Sequence, residues 1–144
     1  MFGLKRVDHI SMAVWSIDDQ LPFFTELLGL TLAGRFRNER EGYLGAVLDF
    51  PGKQLQMELL EPIGEDGFVA RFLRERGPGF HHVTIQAEDV EQAAAAMRGF
   101  GVEPFQGVTG GPDFRHTYIH PKESGGILWQ VFSSDGKPGW KPAK

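Results

Sequence analysis

Four residues, His9, Glu58, His82 and Gln130, carry side chains able to hold a divalent cation, and they fall into two repeat-related pairs. His82 follows His9 by 73 residues, and Gln130 follows Glu58 by 72. Read as strands with a period of two, residues 7–14 put His9, Ser11 and Ala13 on one face and Ile10, Met12 and Val14 on the other. Residues 79–87 do the same with His82, Thr84 and Gln86 against Val83, Ile85 and Ala87. In residues 54–60, alternation places Gln54, Gln56, Glu58 and Leu60 together, and in residues 126–132 it places Leu128, Gln130 and Phe132 together. A strand that packs its apolar face on a helix while the other face carries histidine and hydroxyls lines solvent or a polar cavity. Joining the halves yields two imidazoles, one carboxylate and one amide oxygen. That set suits a divalent metal and leaves positions open to water or substrate. The chain has no cysteine, so any metal must be held by nitrogen and oxygen.

The elements that must position these side chains follow from periodicity and turn residues. After the first strand, Ser16 starts a helix with Leu21, Phe24, Leu27 and Leu28 at helical spacing, stopped by Gly29. Strands over 30–36, 43–50 and 54–60 complete a first βαβββ unit, separated by the turns 37–42 and 51–53. A linking helix over about 65–77 leads into a strand at 80–87 and a helix from Asp89 through the alanines 93–96. A short strand near 103–106, strands at 114–120 and 126–132, and an extended tail over 134–144 follow. Glycines 107, 110 and 111 lack the strand-to-helix context of a phosphate loop and read as a loop near the cleft mouth. The steady offset signals a duplicated unit: module one over about 4–62, module two over about 79–133, and one domain over 1–144.

The bland reading of each residue bounds the sharp one. A lone strand histidine is more often structural than a ligand; the repeat of His9 in His82, together with Glu58, turns the reading toward a metal. His81 faces the other way and is read as structural. Gln130 either coordinates through its oxygen or hydrogen-bonds in the cleft. His116, Tyr118 and His120 alternate on one face, where packing or exposure is the plainer account, and Arg35, Arg37 and Arg40 read as a solvated turn. A net charge of −4 without a dense basic block argues against a nucleic-acid partner. No apolar run reaches the length of about 18 residues that a membrane span needs, and the first residues hold no signal-like apolar stretch. The expectation is a cytoplasmic enzyme with a small-molecule substrate.

The βαβββ duplication, the starts Asp8-His9-Ile10 and His81-His82-Val83, the segment from Met57 to Pro62 and that from His120 to Leu128 resemble the vicinal oxygen chelate superfamily, which joins glyoxalases, bleomycin-resistance proteins and ring-cleaving dioxygenases. Within it the chain is most similar to methylmalonyl-CoA epimerase, then to glyoxalase I. The resemblance implies an α+β fold in which two tandem βαβββ modules build an eight-stranded, partly open barrel around a metal-binding cleft. It also implies a homodimer and one divalent metal ion (Co, Zn, Ni, Mn or Fe), ligated at His9, Glu58, His82 and Gln130. The chemistry implied is epimerisation next to a carbonyl through an enolate, on an acyl-CoA such as methylmalonyl-CoA, with Glu58 as ligand and base. Tyr118, His116 and Asp49 are the candidates to return the proton. The alternatives are a glyoxalase I-like lyase and a non-catalytic small-molecule binding protein of the bleomycin-resistance type. One departure stands out: the epimerase pattern has glutamate where this chain has Gln130, and an amide cannot accept a proton.

Overall fold

A computed structural model of the chain describes residues 1–134, so the tail expected over 134–144 lies, beyond Ser134, outside the described residues. Eight strands, β1 (Leu4–Ala13), β2 (Thr31–Asn38), β3 (Tyr43–Asp49), β4 (Gln56–Pro62), β5 (Gly79–Ala87), β6 (Phe105–Gly111), β7 (Phe114–Ile119) and β8 (Leu128–Ser133), form one mixed sheet in the order β2-β3-β4-β1-β5-β8-β7-β6. The sheet has β2 and β6 at its edges and does not close on itself. Helices α1 (Ile17–Pro22), α2 (Phe68–Arg76) and α3 (Val90–Phe100) complete an α+β fold. The contacts of the described residues fall into two compact units, one made of residues 9–81 and the other of residues 1–8 with those from His82 onward.

In the first unit, β1 runs parallel to β4 with Ser11 opposite Glu58, and β3 pairs antiparallel with both β4 and β2. The alternation expected from the sequence sorts the side chains onto two faces. Met57, Leu59, Ala46 and Leu48 pack with Val14, Ile17, Phe24 and Leu30. Ala13 and Leu60, from the face that carries His9 and Glu58, pack instead on Val69 and Leu73 of α2. Leu48 and Leu59 are wholly buried, and burial of each such side chain stabilises the fold by about 1.5–3 kcal/mol. The strand that carries Glu58 is thereby held from its other side.

The helix expected from Ser16 to Gly29 forms in two pieces. Ser16 caps it, accepting from the Asp19 N–H at 3.2 Å. After Pro22 the chain widens into a π turn over Phe23–Leu27, closed by the Leu28 N–H to the Phe23 carbonyl at 3.1 Å. Pro22 has no N–H to give the helical ladder, and the Thr25 hydroxyl takes the Leu21 carbonyl at 3.0 Å, four residues back. Pro22 thereby removes one ordinary i to i−4 bond just before the wider turn.

In the second unit, β5 runs parallel to β8 with Thr84 opposite Gln130, and β7 pairs antiparallel with β8 and β6. Ile85, Ala87, Val90, Ala93 and Val131 form its core. The small side chains of the alanine run let α3 lie close on the sheet. Asp89 caps α3 by accepting from the Glu91 N–H, and Gly101 ends it in the left-handed region at φ 102°.

The glycine-rich loop expected over 107–111 is instead the body of β6. Its register with β7 slips between Phe105 and Thr109, and Gln106 and Gly107 at the slip have φ of 64° and 68°. Gly110, at φ 105°, ends the strand where a Cβ would sit 2.2 Å from the Phe114 carbonyl oxygen. The glycines that suggested a loop are what let an irregular strand turn tightly into β7.

Candidate metal centre

His9 and Glu58 come together because the first and last strands of the first βαβββ unit are parallel neighbours, and because both residues occupy the face that also holds Ser11. The Ser11 hydroxyl donates to Glu58 Oε1 at 2.6 Å, and His9 Nε2 lies 3.7 Å from the same oxygen. All three residues are buried: His9 is 5 % exposed, Glu58 4 % and Ser11 0 %. The His9–Glu58 separation is too long for a hydrogen bond but suits two groups facing a common third atom. A carboxylate this deep costs several kcal/mol unless paired or bound to a cation.

One ligand atom from each of His9, Glu58 and His82 lies within 4.8 Å of the other two. Metal bonds to nitrogen and oxygen are about 2.0–2.2 Å, so two ligand atoms on one ion lie at most about 4.4 Å apart, close to the spacing of these three. Two imidazoles and a carboxylate suit Zn, Fe, Co, Ni or Mn and offer nothing special to Mg or Ca. The donor set therefore fits the cofactor expected from the sequence, and the structure brings three of the four expected ligand residues together.

Gln130 stands in a small polar network. Its Oε1 accepts from the Thr84 hydroxyl at 2.9 Å, and its Nε2 lies 3.1 Å from His116 Nδ1. An amide nitrogen only donates, so Nδ1 of His116 is the acceptor and carries no proton in this arrangement. The His116 ring contacts Phe114 and Tyr118, and Tyr118 is the residue opposite Gln130 on β7. Asp49, on β3 opposite Gln56, accepts from the Gln56 amide at 2.8 Å. His81 is structural as expected. It packs against Phe68 and Phe72 with ring centres 5.0 and 5.1 Å away, and burial, aided by the nearby Arg76 charge, lowers its pKa from 6.5 to about 4. His120 caps the 3-10 turn Pro121–Glu123. Sequence reading placed Ser11 and Thr84 on the right faces but gave them no task, although a hydroxyl two residues beyond each repeat histidine was a visible signal.

Fold and site together give an α+β chain with an eight-stranded mixed sheet and a cluster of nitrogen and oxygen donors that could hold one ion. The match of residues 8–118 to the model of the Glyoxalase/Bleomycin resistance protein/Dioxygenase superfamily shows that the chain belongs to that superfamily, and it is an enzyme of that superfamily. It is 29% identical over 138 residues to the uncharacterized protein YqjC of Bacillus subtilis, covering 92% of this chain and 95% of the relative. It is 29% identical over 137 residues to an ethylmalonyl-CoA/methylmalonyl-CoA epimerase of Cereibacter sphaeroides, covering 89% and 97%. Among solved structures, a methylmalonyl-CoA epimerase in complex with methylmalonyl-CoA and NH4+ superposes with a TM-score of 0.76 at 32% identity, covering 92% of this chain and 96% of that one.

Proposed function

We propose that this chain is a metal-dependent epimerase acting next to the carbonyl of a CoA thioester such as methylmalonyl-CoA. The observation that carries the reading is that one ligand atom from each of His9, Glu58 and His82 lies within 4.8 Å of the others. The epimerase names of the relatives and the methylmalonyl-CoA in one solved structure support the substrate class. His9, Glu58 and His82 would hold the ion, with Gln130 as a weaker fourth ligand through the second lone pair of Oε1. The metal, when bound, supplies a Lewis acid that polarises a carbonyl oxygen and makes the neighbouring C–H more acidic.

The residues of the chain then move the proton. Glu58 removes it from the α-carbon, leaving an enolate. Ser11 holds Oε1 of that carboxylate by its 2.6 Å hydrogen bond. Return of a proton to the opposite face inverts the centre. Asp49, His116 and Tyr118 remain the groups proposed for that step, and of these His116 is tied to Gln130. The test is epimerisation of methylmalonyl-CoA by protein stripped with chelator and then reloaded with divalent metal. The expected result is loss and recovery of activity in proportion to bound metal. Activity that survives complete stripping sinks the metal-dependent mechanism.

Among the described residues, no helix is long and apolar enough to cross a membrane. Edge strands β2 and β6 and the exposed Trp15, Phe23, Leu27 and Phe80 leave apolar area and strand edges to cover. We accordingly propose a homodimer. Sedimentation at micromolar concentration should give twice the chain mass, and a sharp boundary at the chain mass would refute it.

A further inference from the structure

The shortest approach that any strand glycine makes to a side chain is at Gly45 on β3. A Cβ built there would lie 2.1 Å from Phe36 Cζ and 2.2 Å from Cε1, so the Phe36 ring occupies the space of the missing side chain. Phe36 is the residue opposite Gly45 on β2, and Gly45 is opposite Leu60 on β4. Alternation along β4 and β3 puts Gly45 and Val47 on the face that carries Glu58, with Val47 directly opposite Glu58. A side chain on β2 would ordinarily stay over its own strand. Here, because residue 45 is glycine, an aromatic ring lies over β3, one strand away from the strand that bears Glu58. Gly45 is buried while Phe36 keeps part of its surface exposed. The ring also meets Tyr43 edge to face at 5.8 Å, and Tyr43 meets Phe68 at 5.4 Å, so a run of aromatic rings extends from β2 to α2.

Resting on the epimerase reading above, we infer that Phe36, seated over Gly45, is a specificity-determining residue: its ring is the wall against which the apolar α-substituent of the acyl group packs and which limits that substituent's size. A bound metal would polarise the oxygens flanking the α-carbon, and Glu58 would take the proton. The remaining substituent then needs an apolar surface on Glu58's side of the sheet, and the aromatic run supplies one without any ionised group.

The experiment compares methylmalonyl-CoA with ethylmalonyl-CoA in metal-loaded wild type, Phe36→Leu and Phe36→Ala. One methylene in an apolar pocket changes kcat/KM by about tenfold or more. The ratio of ethyl to methyl kcat/KM should therefore rise by about that factor in Phe36→Ala and by less in Phe36→Leu. A merely structural role for the ring over its glycine lowers both activities together and leaves the ratio unchanged, which overturns the assignment. Phe36→Leu, which keeps an apolar side chain at that place, guards against misfolding. The second readout is a nuclear Overhauser effect from the Phe36 ring protons, assigned by their loss in Phe36→Leu, to the α-alkyl protons of bound substrate. Its absence with substrate bound also overturns the assignment. If wild type neither binds nor turns over either thioester, the epimerase reading fails first and this inference with it; turnover with an invariant ratio fails the inference alone.

Discussion

His9→Ala and His82→Ala proteins, purified without chelator, are expected to carry no stoichiometric metal, whereas wild type carries one divalent ion per chain and Gln130→Ala keeps it. The order follows from donor chemistry. Imidazole nitrogen and carboxylate oxygen bind first-row divalent ions strongly, while an amide oxygen is a neutral and weaker donor. Ser11→Ala should fall between, because it removes only the hydroxyl that orients Glu58 Oε1 from 2.6 Å. Loss of such an outer hydrogen bond costs roughly 10–100-fold in metal affinity, and loss of either histidine must exceed that. Elemental analysis with competition by a chelator of known affinity gives both numbers. Full occupancy in the two histidine variants would falsify the metal site, since two imidazole ligands cannot both be dispensable.

The second large effect is on the proton. In D₂O, the metal-loaded wild type should place deuterium at the α-carbon of methylmalonyl-CoA, and Glu58→Gln should reduce that exchange by ~10²–10⁴-fold, the usual contribution of a positioned general base. Metal content must be measured on the same sample, because Glu58 is also proposed as a ligand. Exchange is the sharper observable here, since it needs one base and full inversion needs two groups. Gln130→Glu tests the departure from the epimerase pattern. The carboxylate would still accept from the Thr84 hydroxyl at the place where the amide does so at 2.9 Å. Unlike the amide it can also take up a proton, so epimerisation should rise relative to exchange. Exchange in wild type with no gain in Gln130→Glu would place the second proton-transfer group elsewhere, and unchanged exchange in fully metallated Glu58→Gln would remove Glu58 as base.

How much of this was legible beforehand depended on the range of the interaction involved. His9, Ser11 and Glu58 needed only a period of two and a repeat offset, because each lies on a regular strand whose other face is plainly apolar. That β4 lies beside β1, so that Ser11 meets Glu58, required the topology, which came through resemblance. The Thr84–Gln130–His116 network depends on register across three strands, and a single sequence carries no register. The π turn after Pro22 keeps the apolar spacing of a helix, so helical spacing does not reveal it. Glycine misled in one place and was silent in another. At 107–111 it suggested a loop where an irregular strand runs, and at Gly45 it marked a ring whose owner sits on the next strand.

The parallel pairing of β1 with β4 also orders events in time. His9 is made early, yet its partner strand is the last of its unit to leave the ribosome, and β2 and β3 must be laid down before β4 can dock. Pairings between residues so far apart in the chain are slow to form. The His9–Glu58 pair therefore forms only once β4 has docked beside β1. On the metal-dependent reading proposed above, an ion has no complete set of donors to bind until that docking is done.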